Sequence, residues 1–76
     1  MEELYIVLEE LRPDVDFRNE SRLFTNRILD SFDIVTLVGE LNVKFEIAIS
    51  VEDLKPENFD SAEAMWKLIS RLKDEM

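Results

Sequence analysis

The sequence contains no cysteine and no histidine. Disulfide staples and thiolate zinc sites are therefore excluded, as is catalysis through a histidine general base. Glycine occurs once and proline twice, which suits helices joined by few tight turns. Long apolar runs are missing too: no stretch approaches the roughly 18 residues of a membrane span. The opening Met1-Glu2-Glu3-Leu4 carries no basic segment ahead of an apolar one, which predicts no signal peptide and a soluble, cytoplasmic protein. No repeat, low-complexity tract or linker divides the 76 residues, so a single domain over 1–76 is expected.

Acid is in excess. The chain has 18 Asp and Glu against 9 Lys and Arg, a formal charge of −9, and 46% of its residues are hydrophobic. That apolar share is enough for a core, so a disordered acidic tail is not expected. The charge opposes binding to nucleic acid or to an anionic membrane and favours partners with basic surfaces. It is also unevenly spread. Residues 1–11 have four acids and no base, and residues 12–29 come to +1. Residues 30–63 have nine acids against Lys44 and Lys55, net −7, and residues 64–76 come to +1. A solvated face and an electrostatic docking face for basic partners both account for this block.

Helical periodicity dominates. Leu4, Val7, Leu8 and Leu11 lie at i, i+3, i+4 and i+7, and predict a first helix over roughly 2–11, stopped by Pro13. The stretch from Arg12 to Leu29 is irregular, unusually long for a connection in a compact domain. Its scattered apolar residues (Val15, Phe17, Leu23, Phe24, Ile28, Leu29) predict that it packs over a bundle. Its arginines at 12, 18, 22 and 27 are interleaved with acids and are expected to pair with acids across the bundle.

A second helix follows, with Ile34, Val38, Leu41 and Phe45 as its stripe, Val35 and Leu37 widening it, and Asp30 or Ser31 as its cap. Gly39 inside it suggests close approach of another chain segment. Pro56 suits the first turn of a short helix over 56–59. Asp60 and Glu63 have capping-box spacing ahead of a last helix striped by Met65, Leu68, Ile69 and Leu72, with Trp66 at its shoulder. The expected architecture is all-α: three main helices, one short helix and a long first loop.

The loop, the second helix and the acidic block all meet at Asp30-Ser31-Phe32. A serine at a helix start is exposed, and the free N–H groups and dipole there favour a phosphate ester. By itself, Asp-Ser at a helix start is usually only a cap.

Over nearly its whole length the chain resembles the acyl carrier protein family, which includes peptidyl and D-alanyl carriers. Leu29-Asp30-Ser31-Phe32 is similar to the family's motif at the start of its second helix. Ile34-Val35-Thr36-Leu37-Val38 followed by Phe45-Glu46-Ile47 looks like that helix and its exit. Ile49-Ser50-Val51-Glu52-Asp53-Leu54 and Asn58-Phe59-Asp60-Ser61 resemble the approaches to the third and fourth helices.

The resemblance implies an acyl-carrier-type four-helix bundle with a 4′-phosphopantetheine arm on Ser31, installed from coenzyme A by a phosphopantetheinyl transferase. It implies that Asp30 contacts the transferase or its metal, and that Phe32 lies beside the arm and touches partner enzymes. Asp33, Glu40, Glu46, Glu52 and Asp53 are the expected partner-binding acids. The implied partners are the transferase, an acyl- or aminoacyl-loading ligase or adenylation enzyme, and acyl-processing enzymes. The chain itself is expected to be a monomer and not an enzyme. A short acyl chain is expected in a slot near Val38, Leu41, Leu54 and Met65.

Two departures stand out. Ile28 replaces the glycine usual two residues before the Asp in fatty-acid carriers, and the second helix has fewer Glu on its exposed face. Specialised aminoacyl or D-alanyl transfer is therefore matched at least as well as fatty acid synthesis.

Other groupings are weaker. Glu52-Asp53 and Glu57-Asp60 lack EF-hand spacing and its turn glycine, so no metal site is expected. Met65-Trp66 fits a core edge better than a ligand groove. The rival from another class is an acidic helical adaptor or antitoxin-like protein that binds a basic partner without covalent chemistry.

Overall fold

The first helix of the computed structural model, which describes residues 2–75, is α1 (Glu2–Leu11). Leu4, Val7 and Leu8 point inward, and Glu2 and Glu3 occupy the first turn, where the helix dipole favours acid. Pro13 disfavours helical geometry at Arg12 and ends the run. After a long connection come α2 (Ser31–Phe45), a single 3₁₀ turn (Val51–Asp53), the one-turn α3 (Pro56–Phe59) and α4 (Ala62–Asp74). Among the described residues there is no strand, and no helix is long and apolar enough to cross a membrane. α1 packs on α2 and α4, and α3 packs on α4.

The core is one continuous cluster. From α2 it takes Ile34, Leu37, Leu41 and Phe45. This corrects the expected stripe, because the inward face takes in Leu37 and centres close to Leu41. At 3.6 residues per turn Val38 lies about 55° from that centre and Val35 about 115°. Val38 is accordingly half-buried, and Val35 is 70% exposed. Trp66 meets Phe45 edge-on, with ring centroids 5.8 Å apart at 77°, which ties α4 to the end of α2.

The long connection packs as the sequence predicts. Phe17, Leu23 and Leu29 are buried, and Val15, Phe24 and Ile28 pack against the core. The radius of gyration is 11.2 Å, close to the value of about 11.4 Å for a compact chain of this length, so the loop adds no protruding lobe. Arg12 pairs with Asp14 and Asp33, and Arg18 with Glu2.

Asp60 anchors the middle of the loop. Its Oδ1 accepts from the N–H groups of Phe24 (3.1 Å) and Thr25 (2.8 Å). Its Oδ2 accepts from the Thr25 hydroxyl (2.7 Å), and its carbonyl accepts from Leu23 N–H (2.8 Å). The expected capping role of Asp60 is therefore corrected: Ser61 caps α4, accepting from Ala64 N–H at 3.0 Å. Gly39 admits no close neighbour from this chain, since nothing lies within 4 Å of the position a Cβ would take.

At the far end of α2, Glu46 adopts a left-handed conformation, φ 55°. Asn42 secures that exit, its carbonyl accepting from Ile47 N–H (3.2 Å) and its Oδ1 from Ile49 N–H (3.0 Å).

Two stability predictions follow from these positions. Gly39→Ala raises the unfolding free energy by about 0.8 kcal/mol, the helix-propensity difference at an uncrowded site. Asp60→Ala lowers it by about 2 kcal/mol, because it strands the loop donors. Urea unfolding reads both. Burial alone would push the Asp60 carboxyl up, but hydrogen bonds from Thr25 and Phe24 outweigh it and hold the group below its ordinary value. The folded pKa is thus lower than the unfolded value of about 3.9. The Asp60 contribution is complete above that value and is lost as pH falls through the folded one. The gap between wild type and Asp60→Ala should narrow in that acidic range and hold constant near neutrality.

Candidate functional site

The start of α2 is built by a reciprocal cap. Asp30 is the cap residue, with extended backbone (φ −99°, ψ −177°), and its Oδ1 accepts from Asp33 N–H at 2.9 Å. Asp33 Oδ2 accepts from Asp30 N–H at 3.3 Å. Ser31 is therefore the first residue of the helix and not its cap. It is exposed, and the adjacent carboxylate fills the capping role in its place.

Two clefts meet at Ser31. One, of about 550 Å³, is bordered by Thr25, Arg27, Asp30 and Pro56 as well as Ser31. Arg27 has positive φ, 60°, and brings a cation to this wall. The other cleft is smaller, about 200 Å³, and mainly apolar, with Phe24, Ile34, Val35, Leu54 and Phe59 on its walls and Lys55 beside them. Phe24 borders both clefts. Ser31 thus stands between a larger hollow of mixed lining, with a cation on its wall, and a smaller, more uniformly apolar one.

The apolar cleft differs from the expected slot. Leu41 and Met65 are fully buried core and Val38 is half-buried, so only Leu54, 43% exposed, borders an opening. The walls come instead from Phe24 of the loop, the first turns of α2, and Phe59 of α3. No sequence signal brings Phe24 and Phe59 together, because their proximity depends on how the loop is pinned.

The five acids expected to face partners fall into two groups. Glu40, Glu46 and Glu52 are exposed. Asp33 and Asp53 are turned inward to arginines. Asp33 Oδ2 accepts from Arg12 Nη1 at 2.9 Å. Asp53 bonds Arg71 of α4, and its Oδ2 also accepts from the Ser50 hydroxyl (3.0 Å) and N–H (3.2 Å). Burial opposes ionisation of Asp53, but the bonds from Ser50 and Arg71 prevail and hold its carboxyl below the ordinary range. Both residues are thus spent on the bundle's own joints.

Phe32, next to Ser31, is 78% exposed. It opens an outward stripe that the sequence reading missed. Phe32, Val35, Gly39 and Val43 follow one another at i, i+3, i+7 and i+11, and Val43 is 81% exposed. The period is visible in the sequence; the inward competitors Leu37 and Leu41 obscured it. Among the described residues, no group of three or more acids is arranged to hold a metal ion.

The cap assignment is checked by stability. Asp30→Ala costs about 1 kcal/mol. Ser31→Ala stays within about 0.5 kcal/mol of wild type. Thermal unfolding of the two variants should show that order, and the reverse order would make Ser31 the cap. No protein-family model matches the chain, and no curated protein or solved structure matches it either.

Proposed function

We propose that the chain is a carrier protein of the acyl carrier type, with Ser31 as the attachment point for 4′-phosphopantetheine. The observation that carries this reading is the state of Ser31: exposed, released from capping by Asp30, and placed where a cation-bearing cleft meets an apolar one. In the proposed reaction the Ser31 Oγ–P bond forms as the pyrophosphate P–O bond of coenzyme A breaks. The leaving group is 3′,5′-bisphosphoadenosine, and the hydroxyl proton passes to a base on a phosphopantetheinyl transferase. With no histidine or cysteine, this chain supplies neither a histidine base nor a thiol. The arm supplies the thiol, which holds an acyl or aminoacyl group as a thioester.

The order and lengths of the helices support the reading. Three main helices, one single-turn helix and a long packed first connection fit the four-helix bundle that the sequence resemblance implies. The smaller apolar cleft beside Ser31 suits a short acyl group, and Arg27 on the wall of the larger cleft suits the phosphodiester of the arm. Partner enzymes, namely the transferase, a loading ligase or adenylation enzyme and acyl-processing enzymes, would dock on the outward face of α2. There Phe32, Val35 and Val43 offer apolar contact, and exposed Glu40 and Glu46 flank them. Such a partner would present an apolar patch with a basic rim. The pathway follows from the loading enzyme: fatty acid, polyketide, nonribosomal peptide or D-alanyl transfer. The carrier would work as a cytoplasmic monomer.

One experiment decides between this carrier and a purely non-covalent adaptor. The protein is incubated with coenzyme A and a promiscuous phosphopantetheinyl transferase, and its intact mass is measured. The expected result is the gain of one phosphopantetheine by wild type and none by Ser31→Ala. An unmodified wild type beside a control carrier that is modified would leave the adaptor reading standing.

A further inference from the structure

We propose that Arg12 is a positioning residue for Ser31: its guanidinium clamps the loop and the start of α2 in the arrangement that presents the serine hydroxyl. What Ser31 receives rests on the carrier reading above. The clamp itself rests on geometry.

Arg12 follows the last residue of α1, and its N–H donates to the Leu8 carbonyl at 2.9 Å. Its side chain reaches in two directions. Nε and Nη2 donate to the two oxygens of Asp14, at 3.1 and 3.0 Å. Nη1 donates to the carbonyl of Ile28 (3.2 Å) and to Asp33 Oδ2 (2.9 Å). That same oxygen of Asp33 accepts from the N–H of Asp30.

The consequence is local. One nitrogen of Arg12 holds the chain three residues before Ser31 and two residues after it. Between these points lies Asp30, whose cap is completed by the very carboxylate that Arg12 grips. The capping box therefore has a third member, contributed by the residue that follows α1. Asp14 fixes the plane of the guanidinium, so Nη1 has little freedom to swing away. A lysine has no such fork: a single ammonium on a flexible stem does not hold Asp14 through two nitrogens while also serving Ile28 and Asp33.

Group transfer to a serine needs its oxygen in line with the phosphorus, and a misplacement of about 1 Å costs on the order of 100-fold. A clamp on both sides of the serine suits that demand. It also explains why Asp33, next but one to Ser31 and acidic, is turned inward instead of facing partners.

The test compares wild type, Arg12→Gln, Arg12→Lys and Arg18→Gln. Arg18→Gln serves as a control, since it removes an ion pair with Glu2 at the opposite end of α1. Steady-state transfer from coenzyme A by the promiscuous transferase is followed by intact mass, and amide hydrogen exchange is measured on each apo protein.

Arg12→Gln is expected to lower kcat about 10-fold or more, with a smaller change in KM, the sign of a misplaced nucleophile. Arg12→Lys should recover part of the rate, and Arg18→Gln all of it. In Arg12→Gln the amides of Asp33 and Ile34 should exchange faster, while those of Leu68 and Ile69 in α4 keep their protection. If Arg12→Gln does not fold, Arg12→Lys carries the same comparison.

Transfer to wild type and to the Arg12 variants at equal kcat overturns the inference and leaves the carrier reading intact. A wild type that is not modified, beside a control carrier that is, overturns the carrier reading instead. Exchange then judges the clamp alone: faster exchange confined to the start of α2 upholds it, and unchanged exchange overturns it.

Discussion

The acceptance of three loop donors by one carboxylate, Asp60, is the interaction on which the site depends. A connection from Arg12 to Asp30 has no regular ladder to satisfy its backbone groups, and any that are covered must find partners elsewhere. Asp60 lies just after α3 and holds Phe24 and Thr25 against the junction of α3 and α4. Phe24 then forms a wall of both clefts at Ser31. The chain of dependence runs from Asp60 to the backbone of Phe24, from there to the position of its ring, and finally to the space beside the serine. Leu23 and Leu29 bury their side chains on either side of that anchor, and Leu29 N–H donates to Leu23 carbonyl at 2.9 Å. Hydrophobic burial supplies the adhesion, and the carboxylate supplies the register.

A chain of charge −9 repels itself, and the fold limits that repulsion by spending acids at its joints. Asp14 and Asp33 meet Arg12, Glu2 meets Arg18, and Asp53 meets Arg71. Hydrogen bonds from Arg12 hold the Asp14 carboxyl below its ordinary value, and those from Arg18 do the same for Glu2. These pairs are mostly exposed, so each adds little to stability by itself. Their value is geometric. Arg12 joins α1 to α2, Arg18 joins the loop to α1, and Arg71 joins α4 to the 3₁₀ turn.

The helices were legible in the sequence because burial and period coincide in them. Leu4, Val7 and Leu8 set α1, Pro56 opens α3, and Met65, Leu68, Ile69 and Leu72 set α4. In α2 the presence of the helix was legible but its inward face was not. Apolar residues occupy both sides, and period alone does not say which side meets the core. Leu37 reads in the sequence as a flank of the stripe but is fully buried, while Val35 is exposed. Capping was harder still. Asp60-Ser61 offers two good caps in succession, and the choice of Ser61 was decided by donors more than 30 residues away in the loop. The 3₁₀ turn was not foreseen, since Ser50 and Asp53 form it with help from Arg71 of α4. Ser31 was legible as a position. Its two clefts were not, because their walls come from separate segments.

The outward face of α2 raises a physical question of its own. Phe32, Val35 and Val43 remain exposed along one face of α2, apart from the other exposed apolar residues Ile6, Val51 and Leu54. Such a stripe invites association. A second copy is a poor candidate, because apposing two such faces also apposes Glu40 and Glu46 with their counterparts, on molecules that each carry −9. The same charges favour a basic partner at a distance, before any apolar contact forms. Gly39 lies at the middle of the stripe with open space above it. It costs helix stability and serves no contact within the chain, yet it is where an incoming backbone could approach most closely. In the carrier proposed above, charge would select which partner arrives, and the apolar stripe with its central glycine would set how closely it settles beside Ser31.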